Sequence, residues 1–186
     1  VVETAGADGY KRGRNLDKIG LHASDTSELF FDNVTVPPEN LLGKEEGQGF
    51  VQLMQQLPQE RLQIGTGAIA MIERALALTI DYVKERKAFG KRLDEFQALQ
   101  FRLADMAIEL EAARTFLWRA AAALDRRDPD ATMLCAMAKR FGTDVGFEVA
   151  NHALQLHGGY GYLSDFPVER IYRDVRVTQI YEGTSE

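Results

Sequence analysis

The hydrophobic period of this chain changes near Gly47, and that change constrains the fold more than any other feature. Upstream, "SELFFDNVTVPPEN" alternates Leu29, Phe31, Val34 and Val36 with polar residues, the period of two expected of half-buried strands. Pro37 and Pro38 end the run, because proline has no N–H to give to a ladder. Downstream the period is about 3.6. Leu62, Ile69, Leu76 and Val83 recur at heptad spacing, with Ile72 and Ile80 on the same face. Phe96, Leu99, Leu103, Met106 and Leu110 step by three and four, as do Leu134, Met137, Phe141, Val145 and Val149. Each run predicts an amphipathic helix with one buried stripe.

Long helices with short breaks between them ("FGKRLD", "DRRDPDA") pack as antiparallel neighbours, and a fourth completes a bundle. Asp128-Pro129 suits a helix start, "FPVERIYRDVRV" suggests a short helix, and "GTSE" has the spacing of a capping box that opens the fourth. The expected architecture is mainly α: an antiparallel four-helix bundle over residues 47–186, its last helix truncated. Residues 1–46 read as the tail of a β-barrel-like middle domain, since two or three strands are too little sheet to stand alone.

Composition narrows the function. Lys plus Arg number 22 against 28 for Asp plus Glu, a net charge of −6, which disfavours general nucleic-acid or anionic-membrane binding. No apolar run is long enough to span a bilayer. The single cysteine, Cys135, cannot form an internal disulfide, so a reducing compartment is expected, the cytoplasm or a mitochondrial matrix. It sits in a helical pattern as a small core residue. His22, His152 and His157 are scattered, and neither HExxH nor paired cysteines occur, so no metal site is expected.

Three stretches carry chemical interest. "LQLHGGYGYLSD" follows a helix, so it is not a dinucleotide fingerprint of the strand–turn–helix kind. Its adjacent glycines either end a helix or let a ligand approach backbone N–H groups. "ERKAFGKRLDEFQALQ" gathers Arg86, Lys87, Lys91 and Arg92 near a helix end, where they either complement the helix dipole or bind an anion. "TQIYEGTSE" sets Glu182 directly after Ile180 and Tyr181, where desolvation opposes its charge.

Together "DTSELFFDNVTVPPENLLG", "ERKAFGKRLDEFQALQF", "LQLHGGYGYLSDFPVERIYRDVRV" and "QIYEGTSE" resemble the acyl-CoA dehydrogenase family, in its C-terminal half. The resemblance implies a fragment of a flavoenzyme about twice this length. Such enzymes oxidise an acyl-CoA to its trans-2-enoyl form, taken as fatty-acid β-oxidation. The base implied is Glu182, with Glu60 as the alternative, because a minority of the family carries its glutamate there. The FAD contacts implied are Arg86, Lys87, Ala88, Phe89, Phe96, Gln97, Gln155, Leu156, His157, Gly158, Gly159, Thr184, Ser185 and Glu186. Arg61, Tyr181 and Gly183 are the implied substrate contacts. The implied partners are an electron-transferring flavoprotein and further copies of the chain in a homotetramer. A monooxygenase or oxidase of the same fold, or a non-catalytic helical assembly module, are the competing readings.

Overall fold

Three long helices make up most of the chain, as the 3.6-residue period requires. In the computed structural model, which describes residues 1–185, α1 spans Gly49–Glu85, α2 Gln97–Arg126 and α3 Ala131–His157, followed by a short α4 at Val168–Val175. The chain divides into two compact units, Val1–Gln56 and Leu57–Glu186.

In the first unit β1 (Tyr10–Asn15) and β2 (Ser27–Phe31) pair antiparallel, with Tyr10 opposite Phe31 and Arg12 opposite Leu29. The apolar alternation runs on to Val36, but the ladder stops at Phe31. Asn33 takes a left-handed φ of 50°, which turns the chain out of the strand. Val34 and Val36 therefore lie outside the sheet, contrary to the alternation.

In the second unit the expected stripes of α1 and α2 are largely the buried ones: Ile69, Ile72, Leu76 and Val83 from α1 meet Met106 and Leu110 from α2 in the core. The stripe expected on α3 is partly the buried one: Leu134, Val145 and Val149 are in the core. Met137 and Phe141 are exposed, while Cys135, Ala138, Gly142 and Gly146 are buried. Small residues bring α3 close to α1: a Cβ on Gly146 would lie 3.5 Å from the Ala68 Cβ and 3.3 Å from Val175 Cγ2. A search for large apolar residues overlooks such a seam, because close backbone approach replaces bulky side chains there.

The connections are tighter than the breaks in periodicity indicate. Between α1 and α2 lies a minimal hairpin, β3 (Lys87–Ala88) and β4 (Lys91–Arg92). Its two turn residues, Phe89 (φ 52°) and Gly90 (φ 83°), are both left-handed, as a two-residue hairpin turn matched to strand twist demands. Arg127 ends α2 in the left-handed conformation, its N–H reaching the carbonyls of Ala123 and Leu124, and Asp130 precedes α3. The break read at Asp128-Pro129 is thus present. After α4 a 3-10 turn, Arg176–Gln179, leads into the final described residues. At "GTSE" the chain turns left-handed at Glu182 (φ 54°) and Gly183 (φ 98°), and Thr184 and Ser185 follow in irregular conformation. The fourth residue of that stretch, Glu186, lies outside the described residues.

One glycine is set by contact. In the 3-10 turn Gly158–Tyr162, a Cβ on Gly161 would sit 2.4 Å from the Leu154 carbonyl oxygen and 3.0 Å from the His157 Cβ. A backbone carbonyl at a helix end cannot rotate away like a side chain. Gly161→Ala in the full-length protein should therefore cost about 1–3 kcal/mol, the usual scale of overpacking, read as a lower urea midpoint at unchanged slope.

Candidate active site

Glu182 is delivered by a short, well-anchored segment. Val168, Ile171, Val175 and Thr178 bury one side of α4 and the 3-10 turn, and the Thr178 hydroxyl donates to the Val175 carbonyl at 2.6 Å. The Gln179 amide then donates to Asp144 of α3 at 2.8 Å. The turn beyond is held by two cations from different helices. Arg61 of α1 donates through Nε to the Glu182 carbonyl at 3.1 Å, and Lys139 of α3 donates through Nζ to the Gly183 carbonyl at 2.5 Å. Glu182 is half-buried, and its carboxyl is hydrogen-bonded to that of Glu60. Burial first, then the charge and hydrogen bond of Glu60, push the Glu182 carboxyl above the usual carboxylate range, while Arg61 and Lys139 pull it back. Desolvation of half-buried Tyr181, helped by the Glu182 charge, raises its phenol.

A hydrogen bond between two carboxyl groups requires a proton between them, since ionised carboxylates only accept. The Glu60 contact therefore favours the protonated form of Glu182, while Arg61 and Lys139 favour the ionised form. A carboxyl raised in this way holds an abstracted proton more tightly than an isolated carboxylate does, as a general base needs.

A second site lies where α1 and α3 end. Tyr82, Arg86, Leu93, Gln155, Gly159 and Tyr160 are among the residues around an open cavity of about 610 Å³, with His157 and Gly158 also in its wall. The Arg86 guanidinium lies 5.1 Å from the centre of the Tyr160 ring. His157 is buried, its ring stacked on Tyr82 at 4.2 Å between centres. Its Nδ1 faces the Ala153 carbonyl at 2.8 Å, so Nδ1 carries the hydrogen, and the Tyr82 hydroxyl donates to the His157 carbonyl at 3.1 Å. Burial lowers the imidazole's pKa, against the backbone hydrogen bond. His157 should thus titrate below its ordinary value of about 6.5 and be neutral at pH 7, as an NMR titration of its ring protons would read. The unfolded chain takes up that proton more readily. The stability His157 contributes is complete above about pH 6.5 and is lost as pH falls toward the folded value.

The model of the acyl-CoA dehydrogenase C-terminal domain matches residues 47–186. The chain belongs to this family. The short-chain specific acyl-CoA dehydrogenase of Megasphaera elsdenii is 45% identical over 181 residues, covering 97% of this chain and 47% of its own. A subunit of the caffeyl-CoA reductase–Etf complex of Acetobacterium woodii is 43% identical over 180 residues, again 97% of this chain and 47% of its own. Among solved structures, an acyl-CoA dehydrogenase from Geobacillus kaustophilus superposes with a TM-score of 0.92 at 47% identity, covering 97% of this chain and 47% of that one. The chain thus spans about half the length of the relatives it matches.

The residues singled out in this acyl-CoA dehydrogenase domain separate into two groups. Arg86 and Gln155–Gly159, from the ends of two different helices, share one cavity wall. Lys87 and Ala88 form β3 beside it, with Phe89 on the hairpin turn and its ring edge-on to Phe96 at 6.5 Å; Gln97 opens α2. Arg61, Gly183, Thr184 and Ser185 line a different, smaller cavity of about 230 Å³ with Lys139 and Arg140. Glu60 and Glu182, read as alternatives for one role, are in contact. Glu186 lies outside the described residues. Cys135 is buried, and desolvation raises its thiol, as suits a core residue. Sequence reasoning missed Lys139, Tyr82 and Tyr160. A charged residue inside the small-residue seam of "CAMAKRFGTDVG" was the available signal for Lys139.

Proposed function

We propose that the full-length protein is an FAD-dependent dehydrogenase that converts an acyl-CoA thioester to its trans-2-enoyl-CoA, with Glu182 as the base. The observation that carries this reading is the Glu182 carboxyl, paired with Glu60 and raised in pKa, on a turn fixed through Arg61 and Lys139. Glu182 takes the proton α to the thioester carbonyl, and the C–H electron pair becomes part of the new double bond. The β hydrogen leaves with its electron pair as hydride, so the substrate loses one proton and one hydride. FAD, when bound, supplies the acceptor for that hydride. Arg61, Tyr181 and Gly183 would contact the substrate around the base.

The residues present fit such a cofactor. A Cβ on Gly158 or Gly159 would meet nothing within 4 Å, so their backbone is open to a ligand in the cavity that Arg86 and Gln155 line. An arginine beside exposed backbone and aromatic faces suits a diphosphate carrying an adenosine. Phe89 is 97% exposed and left-handed. The hairpin turn accounts for that conformation, and contact with a cofactor seated partly on another copy would account for the exposed ring. Lys87, Ala88, Phe96, Gln97, Leu156, Thr184, Ser185 and Glu186 complete the proposed flavin contacts.

Residues 1–46 belong, on this reading, to a middle β domain and 47–186 to the helical domain. Exposed Phe101, Ile108 and Trp118 on α2 support a homotetramer. The A. woodii relative's name supports an electron-transferring flavoprotein as acceptor. Among the described residues no helix is long and apolar enough to cross a membrane. The test is an anaerobic titration of the yellow full-length protein with acyl-CoAs of graded length. Bleaching of the flavin band by one of them is expected. A flavin that no acyl-CoA bleaches, yet that turns over with a reductant and oxygen, would assign the monooxygenase or oxidase chemistry instead.

A further inference from the structure

Lys139 is 3% exposed, and the proton and hydride transfers proposed for this site need no contact from it. Lysine is almost never fully buried unless its ammonium is paired, and a methionine would fill the same length of helix interior without the cost of desolvation. Its ammonium reaches across from α3 to the Gly183 carbonyl at 2.5 Å. The adjoining carbonyl, that of Glu182, accepts from Arg61 of α1 at 3.1 Å. Two successive carbonyls are thereby held from two helices, at the point where Glu182 and Gly183 both take left-handed φ angles of 54° and 98°. A glutamate in that conformation stays there only where its surroundings over-determine it.

We propose that Lys139 is the positioning residue that latches the Glu182–Gly183 turn and so aims the Glu182 carboxyl. The inference rests on the reading of Glu182 as the base. Arg61 fixes the first carbonyl from α1, and Lys139 fixes the second from α3, so neither helix alone sets the turn. The groups facing the Glu182 carboxyl are Glu60 and Arg61 of α1, Lys139 of α3 and its neighbour Tyr181. Glu60 disfavours the charged base, and the two cations favour it. Loss of the ammonium removes both the latch and one of the two favourable charges.

The experiment compares Lys139→Met, Lys139→Arg and Glu182→Gln in the full-length flavin-bound protein, by single-turnover flavin reduction with acyl-CoA across pH. Lys139→Met is expected to reduce its flavin about tenfold or more slowly, the scale of a displaced reacting group, with substrate affinity changed by no more than about threefold. Its acid limb should move to higher pH, because a base without that cation holds its proton more tightly. Lys139→Arg should recover most of the rate. If Lys139→Met does not assemble with flavin, Lys139→Gln, which is uncharged and shorter than the reach to the Gly183 carbonyl, carries the test through its rate. Reduction slowed about tenfold at pH above the acid limb supports the latch, and a wild-type rate there overturns it. A Lys139→Met enzyme with wild-type rate and pH profile, beside an inactive Glu182→Gln, overturns the latch and leaves the base standing. Fast reduction by Glu182→Gln overturns the base assignment itself, whatever Lys139 does.

Discussion

Glu182→Gln in the full-length protein is expected to slow flavin reduction by a saturating acyl-CoA at least roughly 10²-fold, the usual worth of a positioned base. A carboxamide has nearly the same shape and still hydrogen-bonds to Glu60, but it cannot accept the α proton. Substrate binding should therefore change far less than the rate of reduction. Glu60→Gln is the informative companion, because the two carboxyls share a hydrogen bond. Glu60 raises the Glu182 pKa through its charge and that bond, so its neutralisation should lower the pKa and move the acid limb of the rate to lower pH. At high pH the less basic Glu182 should be modestly slower, by much less than the loss in Glu182→Gln. Abolished reduction in Glu60→Gln with near-normal reduction in Glu182→Gln would reverse the roles. It would assign the base to α1, as in the minority arrangement of the family.

The sequence showed both carboxylates but not that they touch. Glu60 and Glu182 are more than a hundred positions apart, and only the packing of α4 and its 3-10 turn against α3, with α1 alongside, brings them together. Periodicity found α1, α2 and α3, because each repeats an apolar residue often enough to define a face. On α3 it found Leu134, Val145 and Val149 but wrongly included Met137 and Phe141, because Ala138, Gly142 and Gly146 replace large side chains on the buried face. Local signals predicted breaks at "FGKRLD" and "DRRDPDA", yet the hairpin at Lys87–Arg92 has only two residues per strand, too few to show an alternation. Lys139 was legible only as a charge inside a small-residue seam. Its part depends on where a distant turn puts the Gly183 carbonyl, and no local pattern records that. The glycine and arginine stretches were legible as two open alternatives each. A shared cavity for Arg86 and Gly158–Gly159 favours ligand contact for both over a bare helix end.

Arg86→Ala separates those alternatives by magnitude. Arg86 follows the last residue of α1, and its backbone N–H still donates to the Tyr82 carbonyl at 2.9 Å. If its guanidinium serves only the helix dipole, the substitution should cost about 0.3–1 kcal/mol of stability and leave the flavin in place. If it serves the FAD diphosphate, the lost charge-assisted hydrogen bonds are worth on the order of 2–4 kcal/mol, or roughly 30- to 800-fold in affinity. A cofactor that survives purification of the wild type should then be largely lost, and the preparation should be nearly colourless. Arg86→Lys keeps the charge but not the planar fork, so it should retain flavin only in part. The oligomeric state belongs in the same measurement, because on the proposed arrangement Arg86 reaches a cofactor held chiefly by another copy. A colourless Arg86→Ala protein that regains colour and activity on addition of excess FAD would place the defect in affinity rather than folding. A fully yellow, tetrameric Arg86→Ala protein would leave Arg86 with the helix dipole and its ring contact to Tyr160, and would move the diphosphate away from this cavity.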